Sequence, residues 1–147
     1  MIETINLNRK FGSFTAVDNL NLKIDKAEIF GFLGANGAGK TTTLRMLCGL
    51  LTPTSGTITV NGLNVVKNPE AVKRSLGYMS QKFSLYGDLR GIENLQFYTG
   101  IYGISWTAAK TNIKSLISQF DLDKYLKLKT SELPMGYKQR LSLVCAL

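Results

Sequence analysis

The stretch that most constrains this chain is Gly34-Ala35-Asn36-Gly37-Ala38-Gly39-Lys40-Thr41. It follows the apolar run Ile29-Phe30-Gly31-Phe32-Leu33 and precedes Thr42-Thr43-Leu44-Arg45-Met46-Leu47, which reads as a helix. A strand, a turn of pattern G-x-x-x-x-G-K-[ST] and a helix start form the context of a phosphate-binding loop. Phosphate oxygens approach such a backbone closely, so bulky side chains are excluded and glycines supply positive φ. Successive N–H groups then point at the anion, and the helix N-terminus adds partial positive charge. At these positions Lys40 reaches β- and γ-phosphates, and the Thr41 hydroxyl is placed to ligate Mg²⁺. Nucleotide binding is the first expectation.

A length of 147 residues fits one domain with a real core. The net charge of +8 is compatible with nucleic acid, an anionic membrane, phosphate ligands or a docking surface. The 18 basic residues are scattered rather than clustered, so nucleic acid is not the expected partner. Cys48 and Cys145 lie far apart and form no metal or redox motif; both read as reduced thiols packed in helices. No run reaches the roughly 20 apolar residues of a membrane span. Residues 94–109 are uncharged but interrupted by polar residues and glycines, and Met1-Ile2-Glu3-Thr4 does not read as a signal peptide. The expectation is a soluble chain that meets a membrane only through a partner.

Residues 3–7 alternate as a short strand that Arg9-Lys10-Phe11-Gly12 breaks, and residues 17–24 alternate again with Leu20, Leu22 and Ile24 on one face. By spacing, Phe11 sits on a turn, where it either stacks on a base or packs locally; spacing favours packing. Residues 29–33, 57–60 and 76–80 read as further strands, and Asn61-Gly62 as a tight turn. Pro69 opens a short helix. From about Leu89 the period lengthens to 3.6, with Leu89, Ile92, Leu95 and Tyr98 or Thr99 on one helical face, then Ile113, Leu116, Ile117 and Phe120 on another. Gly100 and Gly103 separate these helices, residues 133–136 form a break, and residues 139–147 resume as an apolar helix.

In order, then, come a phosphate loop, Gln81 at a strand end about forty residues later, and Leu133-Pro134-Met135-Gly136-Tyr137-Lys138-Gln139-Arg140-Leu141 after a helical segment. Together these resemble the nucleotide-binding domain of ABC transporters over essentially the whole chain. Residues 28–34 and 77–86 look like the ATPases of ABC-2-type exporters, the group around multidrug and antibiotic efflux. The resemblance implies an α/β fold: a P-loop NTPase core of the ABC ATPase type, with an N-terminal antiparallel β subdomain and an inserted α-helical subdomain, C-terminally incomplete. The expected organisation is a β subdomain plus P-loop core over 1–86, a helical subdomain over 87–135 preceded by the Q-loop hinge, and a truncated signature helix over 136–147.

The resemblance also implies roles. Phe11 matches the aromatic that stacks on adenine, against the reading from spacing, and Val17 an apolar position beside the base. Asn36, Gly37, Ala38, Gly39, Lys40, Thr41 and Thr42 match the Walker A motif, with Thr41 as Mg²⁺ ligand. Gln81 matches the Q-loop glutamine, a Mg²⁺ and water contact. Leu133, Pro134, Met135, Gly136 and Tyr137 match the signature that faces ATP bound by a second nucleotide-binding domain. Residues 83–89 match the groove that receives a permease; of Phe83, Tyr86, Phe97, Tyr98, Tyr102 and Trp106, one or two are expected to dock and the rest to pack. The implied ligands are ATP and Mg²⁺. The implied partners are a membrane permease and a second such domain, and the implied place is the cytoplasmic face of the membrane.

Two departures stand out. The family signature is L-S-G-G-Q, and Pro134 in place of its serine supplies neither hydroxyl nor N–H. Met135 and Gly136 still donate from the backbone, so a weakened phosphate cap is expected. The family also continues into an apolar strand ending in Asp-Glu and then a switch histidine, whereas this sequence stops at Leu147 and contains no His. Without those groups the chain by itself is not expected to hydrolyse ATP, and without that strand it is expected to fold poorly and bind nucleotide weakly. Alternatives kept open are a non-transport ABC protein acting on ribosomes or nucleic acid, a different P-loop enzyme such as a small kinase, and a catalytically inactive nucleotide-binding fragment.

Overall fold

The computed structural model describes residues 1–80 and 84–147, which fall into two compact units, Met1–Leu76 and Gly77–Leu147. The first is a sheet backed by two helices. Strand β1 (Ile2–Phe11) pairs antiparallel with β2 (Phe14–Ile24) on one side and with β3 (Ser55–Val60) on the other. The two-residue β4 (Leu63–Asn64) completes the order β2-β1-β3-β4. Leu7, Val17, Ile58 and Val60 close over Met46 and Leu47 of α1 (Lys40–Leu47), Val65, and Val72 of α2 (Pro69–Arg74). One sheet face is thus apolar, as an antiparallel sheet with a single covered side requires.

Asparagines shape the hairpin. Asn6 and Asn19 have φ of 47° and 45°, and the β1–β2 register slips beside them. Asn6 N–H donates to Asn21 Oδ1 at 2.8 Å and Asn19 N–H to Asn8 Oδ1 at 2.9 Å, so side-chain amides replace interrupted ladder bonds. These bulges carry β1 on to Phe11, where the sequence reads a break at residue 9. Phe11 is therefore the last residue of a strand, paired with Phe14, and not part of the turn. Asn61 and Gly62, at φ 50° and 80°, make the tight β3–β4 turn as expected.

Two expected strands, residues 29–33 and 76–80, are not part of any sheet among the described residues. A parallel strand takes its hydrogen bonds from strands on either side, and the four-stranded sheet of the described residues includes no strand beside either segment. Ile29 and Leu33 consequently stand almost completely exposed, with Phe30 also largely uncovered.

The second unit is helical: α3 (Gly91–Ile101), α4 (Trp106–Gln119) and α5 (Met135–Ala146), with a short 3-10 turn at Thr130–Glu132. Residues 77–80 and 84–86 belong to this unit. Its core is Leu95, Ala109, Ile113, Ile117, Leu122, Leu133, Leu141 and Val144, which includes the expected inner faces of α3 and α4. Gly100 lies inside α3, and only Gly103, at φ 67°, breaks the chain before α4. Helix α5 begins four residues earlier than the apolar pattern suggests, because Pro134 fits the position before a first helical turn. Among the described residues no helix is long and apolar enough to cross a membrane.

Candidate nucleotide site

Residues 34–39 make an open turn that leads into α1. Gly37 and Gly39 take φ of 86° and 79°, in the region that side chains disfavour. Gly39 has a second constraint, since a Cβ there would collide with the Ala16 carbonyl and press on Val17 Cγ2 at 3.2 Å. The loop is thereby seated against β2. Helix α1 starts at Lys40 with no side-chain cap, so its first-turn N–H groups stay available, and Thr43 N–H makes the first helical bond to Gly39 O at 2.8 Å. The Lys40 ammonium arches back over the turn to Gly34 O at 2.6 Å and Ala35 O at 2.7 Å. The ammonium is thus held by two loop carbonyls beside the uncapped start of α1, while Ala38 N–H closes the loop on Ala35 O at 3.2 Å; a cation next to a helix N-terminus is chemistry that suits a phosphate. Thr41 is exposed on the first turn, Thr42 half-buried and Thr43 buried.

The other expected nucleotide residues divide. Val17 is part of the core and touches the Gly39 position, so it supports the loop from beneath. Phe11 stands at the turn end of the hairpin and is 46% exposed, its ring under the Arg9 guanidinium. Gln81 and Phe83 lie outside the described residues.

In the helical unit the five signature positions face different ways. Leu133 is buried in the core, and the Tyr137 ring lies against Tyr125 with centroids 3.8 Å apart and Arg140 over it at 5.2 Å. The Tyr137 hydroxyl beside it pushes the Tyr125 phenol up. Between these two anchors Met135 is 64% exposed and Gly136 exposed, and their N–H groups belong to the uncapped first turn of α5. Lys138 Nζ ties this turn to Ser131 O at 2.9 Å, and Arg140 bonds Phe120 O and Asp121 at 3.1 and 3.2 Å. Of the candidate docking aromatics, Tyr86, Phe97 and Tyr102 are exposed, and Tyr86 meets Phe97 edge to face at 4.6 Å. Tyr98 is held by its hydroxyl on Ser84 O at 2.8 Å, and Trp106 packs on the core.

Sequence reasoning missed Asn94. It is wholly buried, accepts from Tyr86 N–H at 2.9 Å, and donates to Tyr86 O at 3.1 Å and Thr130 Oγ1 at 2.9 Å. It fastens the loop entering α3 to the segment before the signature. The available signal was an amide within the apolar helix pattern of residues 89–98. The half-buried thiols of Cys48 and Cys145 are both pushed up by burial, Cys145 to about 12.

Comparison with known proteins places these features. The family model described as ABC transporter matches residues 17–147. The chain belongs to that family. It is 46% identical over its full length to the probable multidrug ABC transporter ATP-binding protein YbhF of Escherichia coli, of which it covers 25%. Against the bacitracin transport ATP-binding protein BcrA of Bacillus licheniformis the identity is 39%, again over the whole chain and 47% of the relative. A solved ATP-binding subunit of an ABC transporter superposes with a TM-score of 0.88 at 28% identity, over 99% of this chain and 61% of that one. The chain therefore spans a quarter to about half the length of these curated relatives. The P-loop ABC ATPase fold, with its antiparallel β-sheet and helical subdomain, is shown by these matches.

Proposed function

We propose that this chain is the ATP-binding portion of an ATPase subunit that drives export through a separate membrane permease. The observation that carries the reading is the phosphate loop, with Gly37 and Gly39 in left-handed conformations and Lys40 arched across the carbonyls of Gly34 and Ala35. Phosphate oxygens would displace those two carbonyls as partners of the ammonium and accept from the N–H groups of residues 36–41. Phe11 would stack on the adenine.

The donor set fits Mg²⁺ held jointly with the nucleotide. Thr41 offers one exposed hydroxyl oxygen on the first turn, and the described residues contain no cluster of three acidic, His or Cys side chains to cage an ion alone. Mg²⁺ keeps waters and phosphate oxygens in such sites. When bound it neutralises charge between the β- and γ-phosphates; Thr41, and Gln81 by resemblance, would hold it.

Met135 and Gly136 would present their free N–H groups to ATP on a second nucleotide-binding domain, with Leu133 and Tyr137 holding the turn in place. Tyr86 and Phe97 offer an exposed aromatic pair to a permease segment. Similarity to a probable multidrug transporter protein and a bacitracin transport protein supports export, with the subunit lying peripherally at the inner membrane face. The test is a calorimetric titration of the chain with ATP, with and without Mg²⁺, beside Lys40→Ala. Weak binding that Mg²⁺ strengthens and Lys40→Ala removes is expected. Binding indifferent to both, or salt-sensitive RNA binding in its place, would overturn the reading.

A further inference from the structure

We propose that Arg9 is a positioning residue for base recognition: its guanidinium backs the Phe11 ring so that the opposite face is presented, already ordered, to a purine. The proposal rests on the reading of Phe11 as the stacking residue. Arg9 Cζ lies 4.4 Å from the centroid of that ring. Its Nη1 donates to Thr52 O at 2.8 Å, in the segment that follows the phosphate-loop helix. The same segment grips the end of β1 twice more, through Thr54 N–H to Asn8 O and Lys10 N–H to Thr54 Oγ1, both at 2.9 Å. Arg9 Nε is buried and has no hydrogen-bond partner among the described residues. Leaving a buried donor unsatisfied costs stability, so the ring contact and the bond to Thr52 are what hold the guanidinium here.

The location suits the role. Phe11 pairs with Phe14, and two residues further along β2 the Ala16 carbonyl abuts Gly39 of the phosphate loop. The ring therefore stands on the strand that seats the loop, with one face under Arg9 and much of the rest open. Ordering an aromatic before its ligand arrives removes part of the entropy lost on binding. A cation behind the ring also draws π-electron density away from the front, which favours a stacked, electron-rich purine.

The test compares Mg²⁺-ATP with Mg²⁺-tripolyphosphate, which carries the phosphates and no base, on the full chain and on Arg9→Met, Arg9→Lys and Phe11→Ala. Arg9→Met is expected to weaken ATP binding about three- to tenfold while tripolyphosphate binding stays within about twofold. Arg9→Lys, which keeps the charge and loses the planar fork, should fall between. Retained tripolyphosphate binding also certifies that each variant is folded. Equal loss of both ligands in Arg9→Met would overturn the proposal, since the arginine would then serve the fold or the phosphates. Unchanged ATP binding in Arg9→Met beside a base-selective loss in Phe11→Ala would overturn it and leave the stacking reading intact. No base-selective loss in Phe11→Ala would overturn the stacking reading itself, and the proposal with it.

Discussion

Two helix starts in this chain, α1 behind Gly39 and α5 behind Pro134, share a lack of any side-chain cap and differ in nearly everything else. The first is preceded by a glycine loop with a lysine folded over it, inside a rigid sheet-backed unit. The second is preceded by a proline, contains no charged residue in Met135-Gly136-Tyr137, and is pinned by a buried leucine and a stacked tyrosine. Both present first-turn N–H groups and both have a lysine folded onto backbone carbonyls, Lys40 onto Gly34 and Ala35 and Lys138 onto Ser131, but only α1 follows a glycine loop. On the proposed reading, the glycine loop lets the backbone before α1 wrap an anion closely, whereas the α5 end, with Pro134 before it, adds only its first-turn donors. The difference separates a binding site from a contact surface.

The comparison can be stressed from both sides. The largest effect expected is on the signature scaffold. Asn94→Ala leaves the Tyr86 amide and carbonyl without their buried partner and should lower the stability of the helical unit by about 3 kcal/mol, read as a fall in its denaturation midpoint. A change under about 0.5 kcal/mol would mean the signature is held by packing alone. At the α1 end, Lys40→Ala removes a charge-assisted phosphate contact of about 2 kcal/mol. ATP affinity should drop about thirtyfold with the thermal midpoint of the free chain little altered; an unaffected affinity would erase the distinction between the two starts. Next comes Pro134→Ser, which restores an N-cap hydroxyl within reach of the Gly136 N–H. It should stabilise α5 by about 1 kcal/mol and strengthen ATP-dependent dimerisation of a complete domain in a catalytically disabled background. Equal or weaker dimerisation would show that the proline does not weaken the cap.

The last effect shows only at alkaline pH. Burial raises the Cys145 thiol to about 12 in the folded unit, so the unfolded chain loses this proton first as pH climbs. Stability should then decline from about pH 8.5, the ordinary thiol value, towards 12, and the decline should be shallower in Cys145→Ser, where the raised Cys48 and tyrosines still contribute in the same direction. The same burial predicts that Cys145 alkylates far more slowly at pH 8 than an exposed thiol. Alkylation as fast as that of a free peptide thiol would contradict it.

Much of this was legible in residue order because the phosphate loop is a local device. Its glycines, lysine and threonine lie within eight consecutive positions, and the strain that Gly37 and Gly39 avoid is a property of single residues. The Asn61-Gly62 turn, Pro69 at a helix start and the Ile113, Ile117 stripe are equally short-range, and each appears as the sequence predicts. The expected strands at residues 29–33 and 76–80 failed for the opposite reason, since pairing is a relation to another segment and no local pattern contains the partner. Phe11 is intermediate: the sequence marked it as a candidate base contact and misplaced it on a turn, because bulges at Asn6 and Asn19 shift where the hairpin ends.

What the sequence determined by itself, then, is the phosphate loop, the change from strand to helical period and the proline in the signature, all fixed by backbone stereochemistry over a few neighbouring residues. Only the tertiary structure decided that Gly39 must lack a Cβ because Ala16 lies against it, that Asn94 binds Tyr86 to Thr130, and that Arg9 lies over Phe11 while bonded to Thr52. Each of these joins atoms up to tens of residues apart, and the free energy that selects them exists only once the core has brought the segments together.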